Sequence, residues 1–193
     1  MKRQPARVLE PADVRRLMTH ATRRRHNLRD LTIILLSFKA GLRACEIAGL
    51  TWPMALRTDG RIADHLYVSK HIAKYGSGRR VPLHPDLKDA LARHHEAAGR
   101  PSEGAIINSE RGGHMTARSV VNWFHRAYAE LGLNGCSSHS GRRTFITRSA
   151  RVIAKVGGSL RDIQELAGHR ALSTTERYIE GDRDAQRKLV SLI

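Results

Sequence analysis

The chain has 193 residues, enough for one domain with a substantial core, and its 34 Lys and Arg against 18 Asp and Glu give a net charge of +16. No apolar run approaches the roughly 20 residues of a membrane span, and the opening MKRQPAR lacks the apolar stretch of a signal peptide. No membrane-spanning helix is therefore expected, the cytoplasm is the expected location, and the cation excess points to a polyanionic partner, most often nucleic acid.

Residues 1–9 read as a basic arm. Pro11 opens a helix with Val14, Leu17 and Met18 on one face. Asn27 is placed to cap a second helix from Leu28 to about Lys39, whose Leu31, Ile34, Leu35 and Phe38 form a core stripe. Gly41 stops it, and a short third helix follows from Arg43 to Leu50. The pattern then changes. The turns Asp59-Gly60 and Gly76-Ser77-Gly78 flank an alternating run with Leu66, Val68 and Ile72, which predicts a small antiparallel sheet of about three strands over 52–83. Pro85 opens a helix to about residue 98. Further helices are predicted at 116–131, 139–153, 160–167 and 173–179, and a last one near 182–191. In Ser173-Thr174-Thr175-Glu176 the spacing fits a capping box, with Ser173 as N-cap. The expected fold class is α+β, mostly α-helical, with one small sheet inserted early.

The charge is uneven. Residues 1–30 hold nine Lys or Arg against three acids, 65–80 hold four against none, and 139–155 hold five against none. A one-sided binding face is the reading this favours over a generally basic, soluble surface. Cys45 and Cys136 stand alone, which speaks against a disulfide framework and a cysteine zinc site. Cys45 falls in an apolar helical pattern and is expected to be buried.

Four stretches are chemically loaded: AGLRACEIAGL at 40–50, AKYGSGRRVPL at 73–83, SHSGRRTFIT at 138–147 and GHRALSTTERYIE at 168–180. Each alone has a bland reading. A lone Arg in an apolar helix snorkels, a Lys in a hairpin turn serves solubility, and a tyrosine after a Ser-Thr-Thr run is most often a packing residue. His139 and Arg142 are three apart, on one face near a helix N-terminus, where free N–H groups and the dipole favour a phosphate.

The joint order carries the weight. Gly-Leu-Arg-x-x-Glu-Ile, a hairpin lysine, His-x-x-Arg, then Gly-His with Thr-Thr-x-x-Tyr nine residues on resembles the catalytic domain of the tyrosine recombinase (phage integrase) family, from about Leu9 to Leu192. The resemblance implies that Arg43 and Arg142 bind the phosphate, that Lys74 is the hairpin lysine, with Lys70 as its rival, and that His139 and His169 are the two histidines. Tyr178 becomes the nucleophile, and Glu46 a positioning residue. It further implies a site-specific recombinase that cleaves and rejoins double-stranded DNA through a 3′-phosphotyrosine intermediate, in integration, excision or inversion of an element. The basic clusters make Arg79, Arg80, Arg143 and Arg148 the candidates for DNA contact. Neither a cofactor nor a metal is expected. Implied partners are a homo-tetramer on DNA, from a chain that can be monomeric when free, and accessory bending or directionality factors.

The chemistry suits these residue types. Attack on a phosphodiester puts extra negative charge on five-coordinate phosphorus, which two guanidinium groups can grip with paired N–H donors. A phenol with a pKa of about 10 is almost wholly neutral at pH 7 and needs a base or strongly positive surroundings. His139 is the candidate base, His169 a donor to the phosphate, and Lys74 the acid for the leaving 5′ oxygen. Relaxation of DNA by a single subunit, as in type IB topoisomerases, and a DNA-binding regulator without activity are the rival functions.

The chain departs from the common pattern in two places. Only about ten residues precede the catalytic region, so no separate N-terminal core-binding domain is expected, whether in a shortened chain or in a small member like the fimbrial-switch invertases. The Arg142–His169 interval is long, with Val156-Gly157-Gly158-Ser159 as the extra turn. Residues 10–181 read as the catalytic domain. The tail 182–193 either docks on a neighbouring subunit or packs on its own.

Overall fold

The computed structural model describes residues 5–73, 76, 78–178, 190 and 191. The order of elements is α1 (Pro11–Thr22), α2 (Asn27–Lys39), α3 (Ala44–Gly49), β1 (His65–Val68), β2 (Arg79–Pro82), α4 (Pro85–Ala97), α5 (Ala117–Glu130), α6 (Ser140–Val152), α7 (Leu160–Ala167) and α8 (Leu172–Glu176). The mostly helical α+β class is thus what the chain adopts.

α2 is the central helix. Thr32, Ile33, Ile34, Leu35, Leu36, Ser37 and Phe38 are all buried, because α1, α3, α4 and α6 pack around it. Each fully buried Leu or Ile contributes about 1.5–3 kcal/mol. Asp30 is buried in the first turn of the same helix and is paired with Arg29 at 2.9 Å and Arg24 at 3.4 Å, so its charge is compensated. α5 packs through Val120, Trp123, Phe124, Ala127 and Tyr128, a stripe at helical spacing. A second, smaller core lies under α6 and α7, formed by Ile146, Ile163 and Ala167 with Phe145, Ile153, Leu160 and Tyr178 packed against it.

Three expectations need correction. The sheet has two strands among the described residues, with Leu66 opposite Val81 and Val68 opposite Arg79. The Asp59-Gly60 turn does form, but its arms meet in one isolated Leu56–Ile62 bridge, too short for a third strand. Cys45 is exposed, because the six-residue α3 buries Glu46, Ile47 and Ala48 and turns Cys45 outward. At the end of the basic arm the Leu9 side chain is fully buried and its N–H donates to Thr144 Oγ1 at 2.9 Å. Finally, α8 begins at Leu172 with Ala171 as its N-cap and no side-chain cap, so Ser173 is not the cap. The tail helix expected near 182–191 lies outside the described residues except for 190 and 191. No described helix is long and apolar enough to cross a membrane.

Candidate active site

Three helix boundaries build the site. Gly41, at φ +64°, takes the chain out of α2 and into α3, and its carbonyl faces α6. α6 starts at Ser140 with His139 as N-cap, so Arg142 sits in its first turn. α7 is opened by Ser159 and Asp162 as a capping box and closed by Gly168 at φ +63°, which delivers His169 to the same place. The extra turn expected at 156–159 is a 3-10 turn, Ile153–Val156, closed by Gly157.

Arg142 is 2% exposed. Its Nη1 donates to Gly41 O at 2.6 Å and its Nη2 to Ala167 O at 2.6 Å and to His169 Nε2 at 2.9 Å. Burial and the like charge of Arg43 lower its pKa to about 10, which leaves it cationic at neutral pH. Arginine only donates, so His169 Nε2 is the acceptor. The proton of neutral His169 is therefore on Nδ1 and is donated to the buried Thr175 Oγ1 at 2.9 Å. The ring of Tyr178 lies on that of His169, with centroids 5.5 Å apart and planes 21° from parallel. Arg143 stands 5.7 Å over the Tyr178 ring, and Tyr178 O accepts from Thr147 Oγ1 at 3.1 Å. Tyr178 lies in the turn after α8, not inside the helix. An open cleft of about 900 Å³ is lined by His139, Arg142, Arg143, Thr174, Arg177 and Tyr178 among others.

Glu46 is fully buried on the other side of the site. Its Oε2 accepts from the Arg43 backbone N–H at 2.9 Å, and its Oε1 from Arg43 Nη1 at 3.2 Å. Burial pushes its pKa up, but the hydrogen bonds and charge of Arg79 outweigh this and hold it below the usual value.

The structure thus brings Arg43, Arg142, His169 and Tyr178 together and puts His139 on the same cleft. Lys74 lies outside the described residues, and Lys70 is exposed with its stem against Gly78. His169 does not present an N–H to a phosphate here: its Nε2 holds Arg142. Arg79, expected to touch DNA, is turned inward onto Glu46 and Leu166 O and is 7% exposed. Arg80 is exposed, and Arg148 donates to Leu9 O at 2.8 Å. Thr175 went unnoticed as a functional residue, although its place three residues before Tyr178 in the Thr-Thr-x-x-Tyr box was visible.

Burial and the neighbouring arginines depress His169 to a pKa of about 4 from its ordinary 6.5. The unfolded chain then binds more protons between those values, so His169's contribution to stability is complete above about pH 6.5 and is lost as pH falls toward 4. Urea unfolding at pH 7 and pH 5 should show a larger loss for the wild type than for His169→Gln. Equal losses would contradict the buried neutral imidazole.

This is a helical domain in which buried arginine, neutral histidine and tyrosine form one bonded and stacked unit. The phage integrase family model matches residues 7–184. The chain is 34% identical over 159 residues to the tyrosine recombinase XerC of Nitrobacter winogradskyi, covering 78% of this chain and 45% of that protein. It is 27% identical over 187 residues to the XerC of Actinobacillus pleuropneumoniae, covering 94% and 56%. The integrase of the Tn1549 transposon, solved in complex with a circular intermediate DNA, shares the fold with a TM-score of 0.73 at 19% identity, over 100% of this chain and 67% of that one. A lambda integrase dimer bound to a COC′ core site gives 0.66 at 22%, over 93% and 49%. This chain belongs to the phage integrase family. It spans about half the length of the curated relatives it matches.

Proposed function

We propose that residues 10–181 are the catalytic domain of a site-specific recombinase that breaks and rejoins double-stranded DNA through Tyr178. The observation that carries this reading is the unit Arg142–His169–Tyr178: Arg142 Nη2 lies 2.9 Å from His169 Nε2, and the His169 ring is stacked on Tyr178. A packing tyrosine has no need of a buried cation and a neutral imidazole beside it.

In the reaction, Tyr178 Oη forms a bond to phosphorus and the bond to the 5′ oxygen breaks. The products are a 3′-phosphotyrosine ester and a free 5′ hydroxyl, and the phosphoester energy is kept for rejoining. Arg43 and Arg142 stabilise the added charge on the non-bridging oxygens, where aimed donors in a dry site count most. His139, at the mouth of α6 on the cleft, takes the phenol proton, and Lys74 supplies one to the leaving oxygen. His169 keeps Arg142 aimed. Partners in this reading are double-stranded DNA and three further copies on the DNA, and the location is cytoplasmic.

Covalent trapping tests it. The chain is mixed in EDTA with 5′-labelled nicked duplexes randomised around the nick, then denatured and run on a gel. The wild type should carry labelled DNA and Tyr178→Phe none. No adduct with the wild type, or an equal one with Tyr178→Phe, would refute the reading.

A further inference from the structure

The residue that the mechanism leaves unexplained is Arg79. It is the first residue of β2, opposite Val68. It belongs to a basic run, Arg79-Arg80, that reads as a DNA contact, yet its side chain is 7% exposed. All three of its nitrogens are engaged inside the protein. Nη1 and Nη2 donate to Glu46 Oε1 and Oε2 at 2.9 and 3.0 Å, and Nε donates to Leu166 O at 2.7 Å. Its guanidinium also fills the space over Gly168, where a Cβ would come within 2.9 Å of Nη1.

We propose that Arg79 is a positioning residue that sets how tightly Glu46 holds Arg43, and so keeps the Arg43 guanidinium available to a phosphate; this rests on the DNA-cleavage reading above. Glu46 is a fully buried carboxylate between two arginines. A buried carboxylate takes the best donors within reach, and a planar bidentate arginine is the best match. Arg79 occupies that end-on position. Arg43 is left with a single side-chain contact to Glu46, at 3.2 Å, and its side chain stays 17% exposed. Without Arg79 the whole buried charge would fall to Arg43, the next donor, which would turn its two-pronged edge inward onto Glu46. The bonds of Arg79 to Glu46 and to Leu166 O also tie α3, whose N-cap is Arg43, to the end of α7, which leads to His169.

The role is distinct from that of a DNA contact and from that of a plain structural brace, and each predicts a different result. The probe is the duplex recovered by trapping with the wild-type chain. With Arg79→Gln, the single-turnover cleavage rate at saturating duplex should fall about 10- to 100-fold, the scale of a misplaced catalytic group. The slope of log affinity against log salt should stay at the wild-type value, whereas loss of one phosphate contact would change it by about 0.9. In the Glu46→Gln background no charge draws Arg43 inward, so Arg79→Gln should cost less than about 3-fold, a coupling that only interacting groups show. A brace acting through Leu166 O alone would cost the same in both backgrounds. If Arg79→Gln does not fold, the comparison of Glu46→Gln with the Glu46→Gln/Arg79→Gln pair, in which the buried ion pair is removed whole, carries the same test. Arg79→Lys, able to hold one carboxylate oxygen, should then cleave at an intermediate rate. A wild-type cleavage rate in Arg79→Gln or Arg79→Lys overturns the proposal. A changed salt slope with normal cleavage at saturation, or equal losses in the two backgrounds, also overturns it. No adduct from the wild type overturns it together with the reading on which it rests, whereas a wild-type adduct with any of the other results overturns it alone.

Discussion

Arg142→Lys should cleave DNA roughly 100- to 1,000-fold more slowly than the wild type, the range seen when one aimed donor to transition-state charge is removed, while its DNA affinity stays within a few-fold. The charge is kept, so the largely electrostatic, salt-dependent part of binding is kept. What lysine lacks is the planar fork. Arg142 reaches Gly41 O, Ala167 O and His169 Nε2 at once, and one ammonium on a single stem cannot span the three. A buried acceptor left unpaired costs about 1–3 kcal/mol, so the variant should also melt roughly 2–12 °C lower. Its cleavage must be compared below that temperature. Equal losses of affinity and cleavage would show that Arg142 binds DNA in the ground state and does not serve the transition state.

Gly141→Ala should lower both the stability of the fold and the rate of cleavage. Gly141 lies where α6 crosses α2. A Cβ there would overlap Ser37, coming within 2.8 Å of its Cβ and 2.9 Å of Phe38 Cδ2. The Ser37 Cβ is fixed to a buried helix and cannot swing away, so α6 itself must shift. Overpacking of this kind costs about 1–3 kcal/mol, which corresponds to roughly 2–12 °C in melting temperature for a chain of this size. The neighbouring Arg142 and His139 move with the helix, and a displacement of about 1 Å at a catalytic group can cost on the order of 100-fold in rate. Ser37→Gly in the same chain should restore part of both. A Gly141→Ala variant with wild-type melting and cleavage would contradict the close crossing.

The pattern of the chain made most of the helices readable. α1, α2, α4 and α5 follow from apolar spacing with Pro11, Pro85 and Gly41 as punctuation, because one buried stripe per helix is enough to hold each in place. The errors arose where a distant partner decides. In AGLRACEIAGL only Arg43 is in reach of Glu46; Arg79, which grips both of its oxygens, is 33 residues away. Seen from its own segment, Arg79 is one more cation in a basic hairpin. Cys45 looked apolar and helical, but a six-residue helix has too little surface to bury every apolar position. The Ser-Thr-Thr-Glu spacing satisfies the capping rule, yet the N-cap falls two residues earlier, at Ala171, without a side-chain cap. The candidate site residues are legible as an ordered set, since Gly-His, His-x-x-Arg and the tyrosine box stand in one order along the chain. Their arrangement was not: no spacing shows that His169 accepts from Arg142 or that Tyr178 lies on its ring.

The central claim is that Tyr178 becomes covalently joined to DNA, and the trapped adduct can be read directly. After nuclease and trypsin digestion, mass spectrometry of the wild-type adduct should find a nucleotide joined through its 3′ phosphate to the peptide that begins at Tyr178, following Arg177, with fragmentation placing it on the phenol oxygen. A nucleotide on any other residue, a 5′ linkage, or a Tyr178 peptide without a nucleotide would contradict the account.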